Sequence, residues 1–558
     1  MVALGIPNAK RPRDFSSCGE IKTRYGKNDY IKHLNWTERS SHFSTNVVSK
    51  PPSQPTIAFT RFGLHLHPIV FGSSALFILS FVLLSLIHPD ELQNVFQEIE
   101  TEIAAKAGWF LVFAVNVFLL FIIRILLSRF GGIRLGGNRA KPDFSYWGWY
   151  SMLFSAGMGI GLLFWSVAEP ISHFVHPPFG TARTVEAARH AQGLTLLHWG
   201  IHAWGIYALV GLALSFFAYN KGLPLSLRSI FYPLVGERIY GSFGNMVDII
   251  ATISTLFGVA TSLGLGAQQI NAGLSYVFAL PDTTRTQTFL IGLITAMATL
   301  SVVLGLNRGI QRLSQINLGL ALILLLLIFS IGPTLHLLDA LVQNVGLYTT
   351  HIVTYGTWTE AYTQTDWQNN WTIFYWGWWI AWSPFVGTFI ARISRGRTIK
   401  EFLVSVLLIP TVVTMIWITV FGNSALWVET AQTGAIAKSV QDNVAVSLFV
   451  LLEQFPWSAL TGALGILVIV IFFVTSSDSA SFVIDMITAG GHSNPPVKQR
   501  VFWAITEGMV ASVLLLGGGL VAFRIAAVST GLPFAIVLLI ACVGLWRGLQ
   551  EERPLPEG

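Results

Sequence analysis

The chain has 558 residues, of which 53% are hydrophobic and 11% are charged, and its net charge is +6. Soluble domains carry about 25% charged residues, so the composition excludes an ordinary soluble protein and predicts an all-α integral membrane protein. Two cysteines, Cys18 and Cys542, indicate neither a disulfide framework nor a metal cluster. We expect no cofactor, and we interpret the positive charge as a sign of membrane topology rather than of a nucleic-acid partner.

The apolar residues fall into segments long enough to cross a membrane. Residues 1–64 precede them, lack the early apolar core of a secretory signal, and are interpreted as a cytoplasmic polar N-tail. At about 20 apolar residues per crossing, the rest of the chain predicts twelve transmembrane helices. They are expected at residues 68–88, 108–128, 147–172, 193–219, 245–280, 286–306, 315–338, 371–391, 402–427, 457–488, 500–519 and 524–547. The fifth and tenth are long enough to tilt or to be interrupted.

The distribution of basic residues indicates the orientation of these helices. Lys and Arg follow the second, fourth, sixth, eighth and tenth helices, whereas the loop after the first is acidic. By the positive-inside rule, both termini are cytoplasmic. Residues 339–357 are too polar to span and carry no basic residue, so they are predicted to form an amphipathic helix on the outer face, against membrane lipid.

The third predicted helix contains glycines at alternate positions, Gly157, Gly159 and Gly161. Small residues in a membrane helix can form a close helix–helix contact. They can also mark an unwound segment whose free carbonyl groups line a cavity. Because alternate positions point in different directions around a helix, this spacing favours the unwound segment.

The fourth predicted helix has an aromatic face. Trp199, Trp204 and Tyr207 fall within one broad sector of the helix, and His198 and His202 lie beside them. These residues could contribute to a binding site if a second aromatic helix lay opposite.

The eighth predicted helix supplies such a partner, with four tryptophans within seven residues. Helical spacing places Trp382 on one face with Trp378, four residues earlier, and also with Trp379, three residues earlier. It predicts that the adjacent side chains of Trp378 and Trp379 diverge. Indole rings that point into a bundle interior form a cage that recognises quaternary ammonium groups by cation–π attraction. The alternative interpretation is packing combined with anchoring at the membrane interface.

The tenth predicted helix carries the polar run TSSDSAS at residues 475–481. Hydroxyl and carboxylate groups at membrane depth are costly unless they are satisfied or used. Such oxygens can coordinate an alkali cation. They can also form hydrogen bonds between helices, and Asp478 can be a structural group.

Motifs of soluble enzymes are absent from the sequence, which has no nucleotide-binding loop, no HExxH and no GxSxG. His65 and His67 precede the first predicted helix and are interpreted as interfacial residues rather than metal ligands. We therefore expect a protein that is not an enzyme.

Three segments together resemble the betaine/choline/carnitine transporter family. They are GMGIGLLFWSVAEP at 157–170, HWGIHAWGIY at 198–207 and WTIFYWGWWIAWSPFVGTFIARISRGRTIKEF at 371–402. The resemblance extends from about residue 60 to 545 and places the motifs in the family's order.

The resemblance implies a LeuT-like fold in which two inverted five-helix repeats follow two extra helices. The domains would be two accessory helices at 65–130, a first repeat at 145–338, an outer helix and loop at 339–370, a second repeat at 371–547 and a short cytoplasmic C-tail at 548–558. The family likeness also implies a multi-pass protein of the bacterial inner membrane and a homotrimer that uses the outer helix in its contacts.

The resemblance implies a substrate site in the middle of the bundle. The cage matches Trp199, Trp204, Tyr207 and Trp379, while Trp378 and Trp382 resemble residues along the substrate path, with Phe374 nearby. The carboxylate of the substrate would lie against the unwound stretch, at Gly157, Met158, Gly159 and Gly161.

Sodium is implied as the coupling ion. One site matches Ser155, Met158, Phe472, Thr475 and Ser476. A second site matches Thr255 and Phe385, although Val259 stands where the family has another hydroxyl.

The resemblance therefore implies sodium symport of a small zwitterionic osmolyte. Glycine betaine is expected first, with ectoine, dimethylsulfoniopropionate and proline as further candidates. Proton-coupled choline carriers of this family carry Asp at the position of Gly161, which favours a zwitterion here. The alternatives are proton-coupled choline uptake, sodium-independent exchange of carnitine type and, from another class, a membrane sensor or receptor.

Overall fold

A computed structural model describes residues 59–552, apart from residues 62, 158, 304–306, 364, 433 and 493. The predicted N-tail, residues 1–64, lies almost entirely outside this range. About 83% of the structure is helical, as the composition predicted.

A short β-hairpin precedes the helices and was not predicted. Its strands are β1 (Phe59–Arg61) and β2 (Leu64–Leu66), which pair antiparallel with Phe59 opposite Leu66. Gly63 has a φ of +74°, a conformation that suits glycine in the turn. The strand β2 is held by Gln499, whose side-chain nitrogen donates to the carbonyl of His65 at 2.9 Å.

The first half of the chain forms ten helices within the described residues. They are α1 (Pro68–Ile87), α2 (Pro89–Leu126), α3 (Tyr146–Gly157), α4 (Ile160–Val175), α5 (Val185–Trp199), α6 (Ile201–Tyr219), α7 (Tyr232–Val235), α8 (Ser242–Phe278), α9 (Thr284–Val303) and α10 (Asn307–Ile331). The fifth predicted span corresponds to α8, which is a continuous helix of 37 residues.

The remaining helices begin with α11 (Thr334–Gly356), which covers the segment predicted to be amphipathic. They continue with α12 (Phe374–Ile393), α13 (Ile399–Ile418), α14 (Ser424–Ala431), α15 (Ala437–Asp442), α16 (Ser447–Glu453), α17 (Ser458–Thr488), α18 (Val497–Leu516) and α19 (Leu520–Glu551). Wider π-helical turns at Asn369–Ile373 and Thr419–Asn423 lead into α12 and join α13 to α14. The last helix extends past residue 547, where the twelfth span was predicted to end.

Ten helical stretches in the described part of the chain are long and apolar enough to cross a membrane. They are Pro68–Ile87, Ala105–Leu126, Val185–Tyr219, Ser242–Phe278, Thr284–Val303, Leu313–Ile331, Ile399–Ala431, Ser458–Thr488, Val497–Leu516 and Leu520–Glu551. The third predicted span falls instead on α3 and α4, of 12 and 16 residues, and the eighth falls on α12. The chain is therefore a multi-pass membrane protein, and the number of twelve crossings stays a prediction.

Burial separates central helices from peripheral ones. In the most apolar part of Val185–Tyr219, 89% of the residues are buried, against 22% in Leu313–Ile331. Large apolar side chains such as Leu76 and Leu120 are exposed on the outer helices. In a bilayer these surfaces face lipid, so the centre of the bundle is formed mainly by α6, α8, α12 and α17.

Candidate functional site

Aromatic rings from α5, α6 and α12 meet in the centre of the bundle. The ring centroids of Trp199 and Trp379 are 4.9 Å apart, those of Trp379 and Tyr207 are 6.3 Å apart, and those of Tyr207 and Trp204 are 5.5 Å apart. Each pair meets edge to face, the arrangement that the ring quadrupole favours. All four side chains are buried, so the structure brings the four predicted cage residues together.

The prediction that Trp378 and Trp379 diverge was wrong. Their rings stack with centroids 4.7 Å apart and planes 13° from parallel. The reason lies in the hydrogen bonds of the indoles, since Trp378 donates to the carbonyl of Gly258 at 3.3 Å and Trp379 donates to the carbonyl of His198 at 2.8 Å. Two acceptors on neighbouring helices thus turn these long side chains towards each other.

Trp382 lies one turn further along α12. Its ring meets Phe385 edge to face at 5.5 Å, and its indole nitrogen is buried without a protein partner. A Cβ atom added to Gly159 would come within 3.7 Å of the Trp382 ring. Phe374 stacks on Trp378 at 5.4 Å, which extends the aromatic surface towards the start of α12.

The glycine stretch interrupts the helix, as the unwound interpretation requires. Helix α3 ends at Gly157, α4 begins at Ile160, and Gly159 is extended between them. Met158 lies outside the described residues, and so does the side chain of Ser155, while Gly157 is described by its backbone alone. Their predicted roles stay predictions.

Gly161 makes a close contact with the aromatic rings. A Cβ atom at this position would lie 2.6 Å from the Cη2 atom of Trp378 and 3.1 Å from that of Trp199. Real Cβ contacts are not that short, so the absence of a side chain at Gly161 lets the two indoles approach the backbone of α4. The glycine stretch therefore lies directly against the aromatic cluster.

A buried carboxylate that was not among the predicted site residues lies directly behind the cage. Glu169 on α4 accepts hydrogen bonds from the indole nitrogen of Trp199 at 3.0 Å and from the hydroxyl of Tyr375 at 2.5 Å. Its other oxygen lies 2.6 Å from Nδ1 of His198 and 3.3 Å from Nε2 of His173. Glu169 thereby connects α4, α5 and α12 at the cage.

The histidines continue this network towards the start of α12. The second ring nitrogen of His198 lies 2.9 Å from the Thr372 hydroxyl, and the His198 ring stacks on Tyr375. Glu169, His173 and His198 each offer one ligand atom within 4.8 Å of the others, so they could hold a metal ion. The hydrogen bonds already satisfy the carboxylate, which accounts for the arrangement without a metal.

An open cavity of about 790 Å³ lies at the end of the bundle beyond this network. Its lining includes Trp165, Trp367, Trp371 and Arg524. Trp165 also contacts Tyr375, with ring centroids 6.2 Å apart. The cavity therefore leads through aromatic side chains to the wall of the cage.

The α17 members of the predicted first sodium site lie within one helical turn. Phe472 and Thr475 are buried and Ser476 is partly buried. The Thr475 hydroxyl donates to the carbonyls of Ile471 and Phe472, at 2.9 and 3.2 Å. Its oxygen keeps an acceptor lone pair, which a cation could use.

Asp478, in the same polar run, is a structural group in this fold. It forms an ion pair with Arg500 and accepts a hydrogen bond from Ser301 at 3.1 Å. These contacts tie α17 to α18 and α9.

The second predicted sodium site falls on buried residues of α8 and α12. The Thr255 hydroxyl donates to the carbonyl of Ala251 at 2.7 Å, and Phe385 packs against Trp382. Val259, one turn from Thr255, is fully buried and offers no oxygen from its side chain.

Comparison with known proteins adds a family to this geometry. Residues 69–554 match the model of the betaine/carnitine/choline family of transporters. The chain is 44% identical over 508 residues to a glycine betaine/proline/choline transporter of Vibrio parahaemolyticus, covering 88% of this chain and 91% of the relative. It is also 44% identical over 532 residues to a glycine betaine/proline/choline/ectoine transporter of the same organism, covering 94% of each. A glycine betaine transporter of Acinetobacter baylyi is 44% identical over 500 residues, or 89% of this chain and 75% of that protein.

Proposed function

Because the chain belongs to the betaine/carnitine/choline transporter family, we propose that it imports a compact zwitterionic osmolyte, glycine betaine first, by sodium symport with alternating access. The chain is a transporter and not an enzyme. Its proposed place is the inner membrane of a bacterium, with both termini in the cytoplasm.

The aromatic cage is the observation that carries this proposal. The rings of Trp199, Trp379, Tyr207 and Trp204 follow one another at 4.9, 6.3 and 5.5 Å. Rings spaced in this way can surround an onium group with each centroid within about 6 Å of the charge. Each desolvated contact contributes up to about 2 kcal/mol, so four contacts contribute up to about 8 kcal/mol, close to the roughly 8.2 kcal/mol of a micromolar ligand before ordering costs.

The proposed range of substrates rests on the names of the relatives and on the contact at Gly161. The relatives named above transport glycine betaine, proline, choline and ectoine between them, and we propose glycine betaine, ectoine, dimethylsulfoniopropionate and proline for this chain. The contact between Gly161 and Trp378 leaves no space for the carboxylate that proton-coupled choline carriers place there. This favours sodium symport over proton-coupled choline uptake, and the hydroxyl groups of Thr475 and Ser476 favour it over sodium-independent exchange.

Accumulation of an osmolyte requires an energy source. One sodium ion that enters across about 150 mV contributes roughly 3.4 kcal/mol, enough for more than about a hundredfold accumulation. We place the first sodium ion at Ser155, Met158, Phe472, Thr475 and Ser476. Sodium would then join the unwound stretch to α17, so that substrate and sodium strengthen each other's binding.

The proposed architecture is LeuT-like. The first inverted repeat would consist of the helices from α3 to α10, the second of those from α12 to α19, and α1 and α2 would be the accessory helices. α11 would lie on the outer face and take part in the contacts of a homotrimer.

The direct test is uptake of labelled glycine betaine into liposomes under an inward sodium gradient. We expect Trp379→Leu to lower the affinity by up to about 30-fold, because the loss of one desolvated cation–π contact corresponds to up to about 2 kcal/mol. Trp427→Leu is the control, since Trp427 is 44% exposed on α14 and lies outside the cage. Affinity in Trp379→Leu equal to that of the control would remove the cage from the account.

A further inference from the structure

The indoles of the cage differ in what accepts their hydrogen bonds. Trp379 and Trp378 donate to neutral backbone carbonyls, whereas Trp199 donates to the carboxylate of Glu169 at 3.0 Å. Tyr375, which packs against both Trp199 and Trp379, donates to the same carboxylate oxygen. A ring whose N–H or O–H donates to an anion gains electron density, and its face attracts a cation more strongly.

Glu169 is also placed where its own charge acts on the cage. The side chain is fully buried, and its ion-pair partners are His173 and His198, which are charged only if protonated. A buried charge is screened much less than an exposed one. At an effective dielectric constant near 20, opposite unit charges about 9 Å apart change an affinity roughly 20-fold.

We propose that Glu169 is a specificity-determining residue, which acts through Trp199 and Tyr375 and gives the cage the negative potential that selects a positively charged head group over an uncharged one of the same shape. It does not touch the substrate. This inference deepens the proposed function and depends on it, because it assumes that the cage binds the head group.

Glu169 also bears on which ligands the cage binds. A head group stabilised by Glu169 needs no carboxylate elsewhere in the ligand to balance its charge. We therefore expect the cage to bind choline, which the names of two relatives include, even though Gly161 supplies no carboxylate for proton coupling.

The test compares choline with 3,3-dimethylbutan-1-ol, which has the same shape and no charge. Both compete with labelled glycine betaine for the full-length protein in lipid nanodiscs with sodium. We expect wild type to bind choline more tightly than the uncharged alcohol. We expect Glu169→Gln to weaken the binding of choline about tenfold and the binding of the alcohol by less than about twofold. Glu169→Asp should restore most of the difference in affinity between choline and the alcohol.

An equal loss of affinity for both ligands in Glu169→Gln would show a merely structural role and overturn the inference. An unchanged ratio of the choline affinity to the alcohol affinity would also overturn it, and so would undetectable binding of choline to wild type. If Glu169→Gln does not fold, Tyr375→Phe decides, because it keeps the carboxylate and removes the hydroxyl that donates to it. We expect a choline-to-alcohol ratio below that of wild type, with a remaining preference for choline because Trp199 still donates to Glu169, and an unchanged ratio overturns the inference.

Failure of the proposed function gives a different result. Wild type would then not bind labelled glycine betaine, so the competition assay could not be used. Choline and the alcohol would instead be titrated directly, with tryptophan fluorescence as the readout. The ratio between these two ligands still decides the role of Glu169.

Discussion

Gly161 joins the backbone of α4 to the aromatic site. Its missing side chain allows Trp378 and Trp199 to lie where a Cβ atom would be, whereas Gly159 has its nearest neighbour at an ordinary distance of 3.7 Å. The two glycines are two residues apart at the same helix break, so they form a matched pair for substitution. These distances predict that a methyl group is tolerated at Gly159 but not at Gly161.

We expect Gly161→Ala to weaken glycine betaine binding by at least about tenfold, since a contact of 2.6 Å forces the Trp378 ring to move. Gly159→Ala should stay within about threefold of wild type. Binding isotherms on purified protein measure both. Equal affinities of the two variants would show that the fit of the indoles to α4 does not shape the site.

The residues of this site differ in how far sequence predicts them. Trp199, Tyr207 and Trp379 follow from helical spacing together with the family resemblance. Glu169 was missed although His173 follows it by four residues, because His198 and Tyr375 lie 29 and 206 residues away and such distant pairings leave no local pattern. A carboxylate inside an apolar segment is itself a signal, because it is costly there unless it is used.

The helices around the site are interrupted where they carry function. The glycines predict the break between α3 and α4, whereas the sequence of residues 193–219 predicts one continuous helix. This segment falls instead on α5 and α6, which separate at Gly200. The free amide of Ile201 donates to the hydroxyl of Tyr348 on α11, at 2.9 Å, so this break depends on a partner that is distant in sequence.

The sodium site is a property of α17 against the break between α3 and α4. We expect Thr475→Ala with Ser476→Ala to raise the sodium concentration for half-maximal uptake several-fold, because two oxygen ligands are lost. Thr461→Ala is the control, since Thr461 is buried on the same helix and also donates to carbonyls of its own turn. Unchanged sodium dependence in the double variant would place the ion elsewhere, and an equal change in the control would indicate a general effect on α17.

The molecule as a whole is organised by burial in a membrane. Val185–Tyr219 and Ser242–Phe278 are the most buried apolar stretches, and Pro68–Ile87 and Leu313–Ile331 are the most exposed. Hydropathy located the long helices well, because lipid requires about 20 apolar residues in each of them. The span predicted at 371–391 falls on α12, whose aromatic side chains form the proposed site.

The β-hairpin shows the same limit at the edge of the membrane domain. It contacts the ends of α17 and α18 through His67, whose amide donates to the carbonyl of Thr488 at 2.8 Å, and through Gln499. Strands of three residues carry too little periodicity to be predicted. Their position depends on helices more than 400 residues later in the chain.

The central claim is that rings from α5, α6 and α12 enclose the onium group of the substrate. Electron cryomicroscopy of the full-length protein in nanodiscs, with saturating glycine betaine and sodium, tests it directly. We expect density for the trimethylammonium group within about 6 Å of the ring centroids of Trp199, Tyr207 and Trp379. Ligand density confined to the open cavity lined by Trp367 and Trp371, with the three cage rings still in contact with one another, would contradict the claim.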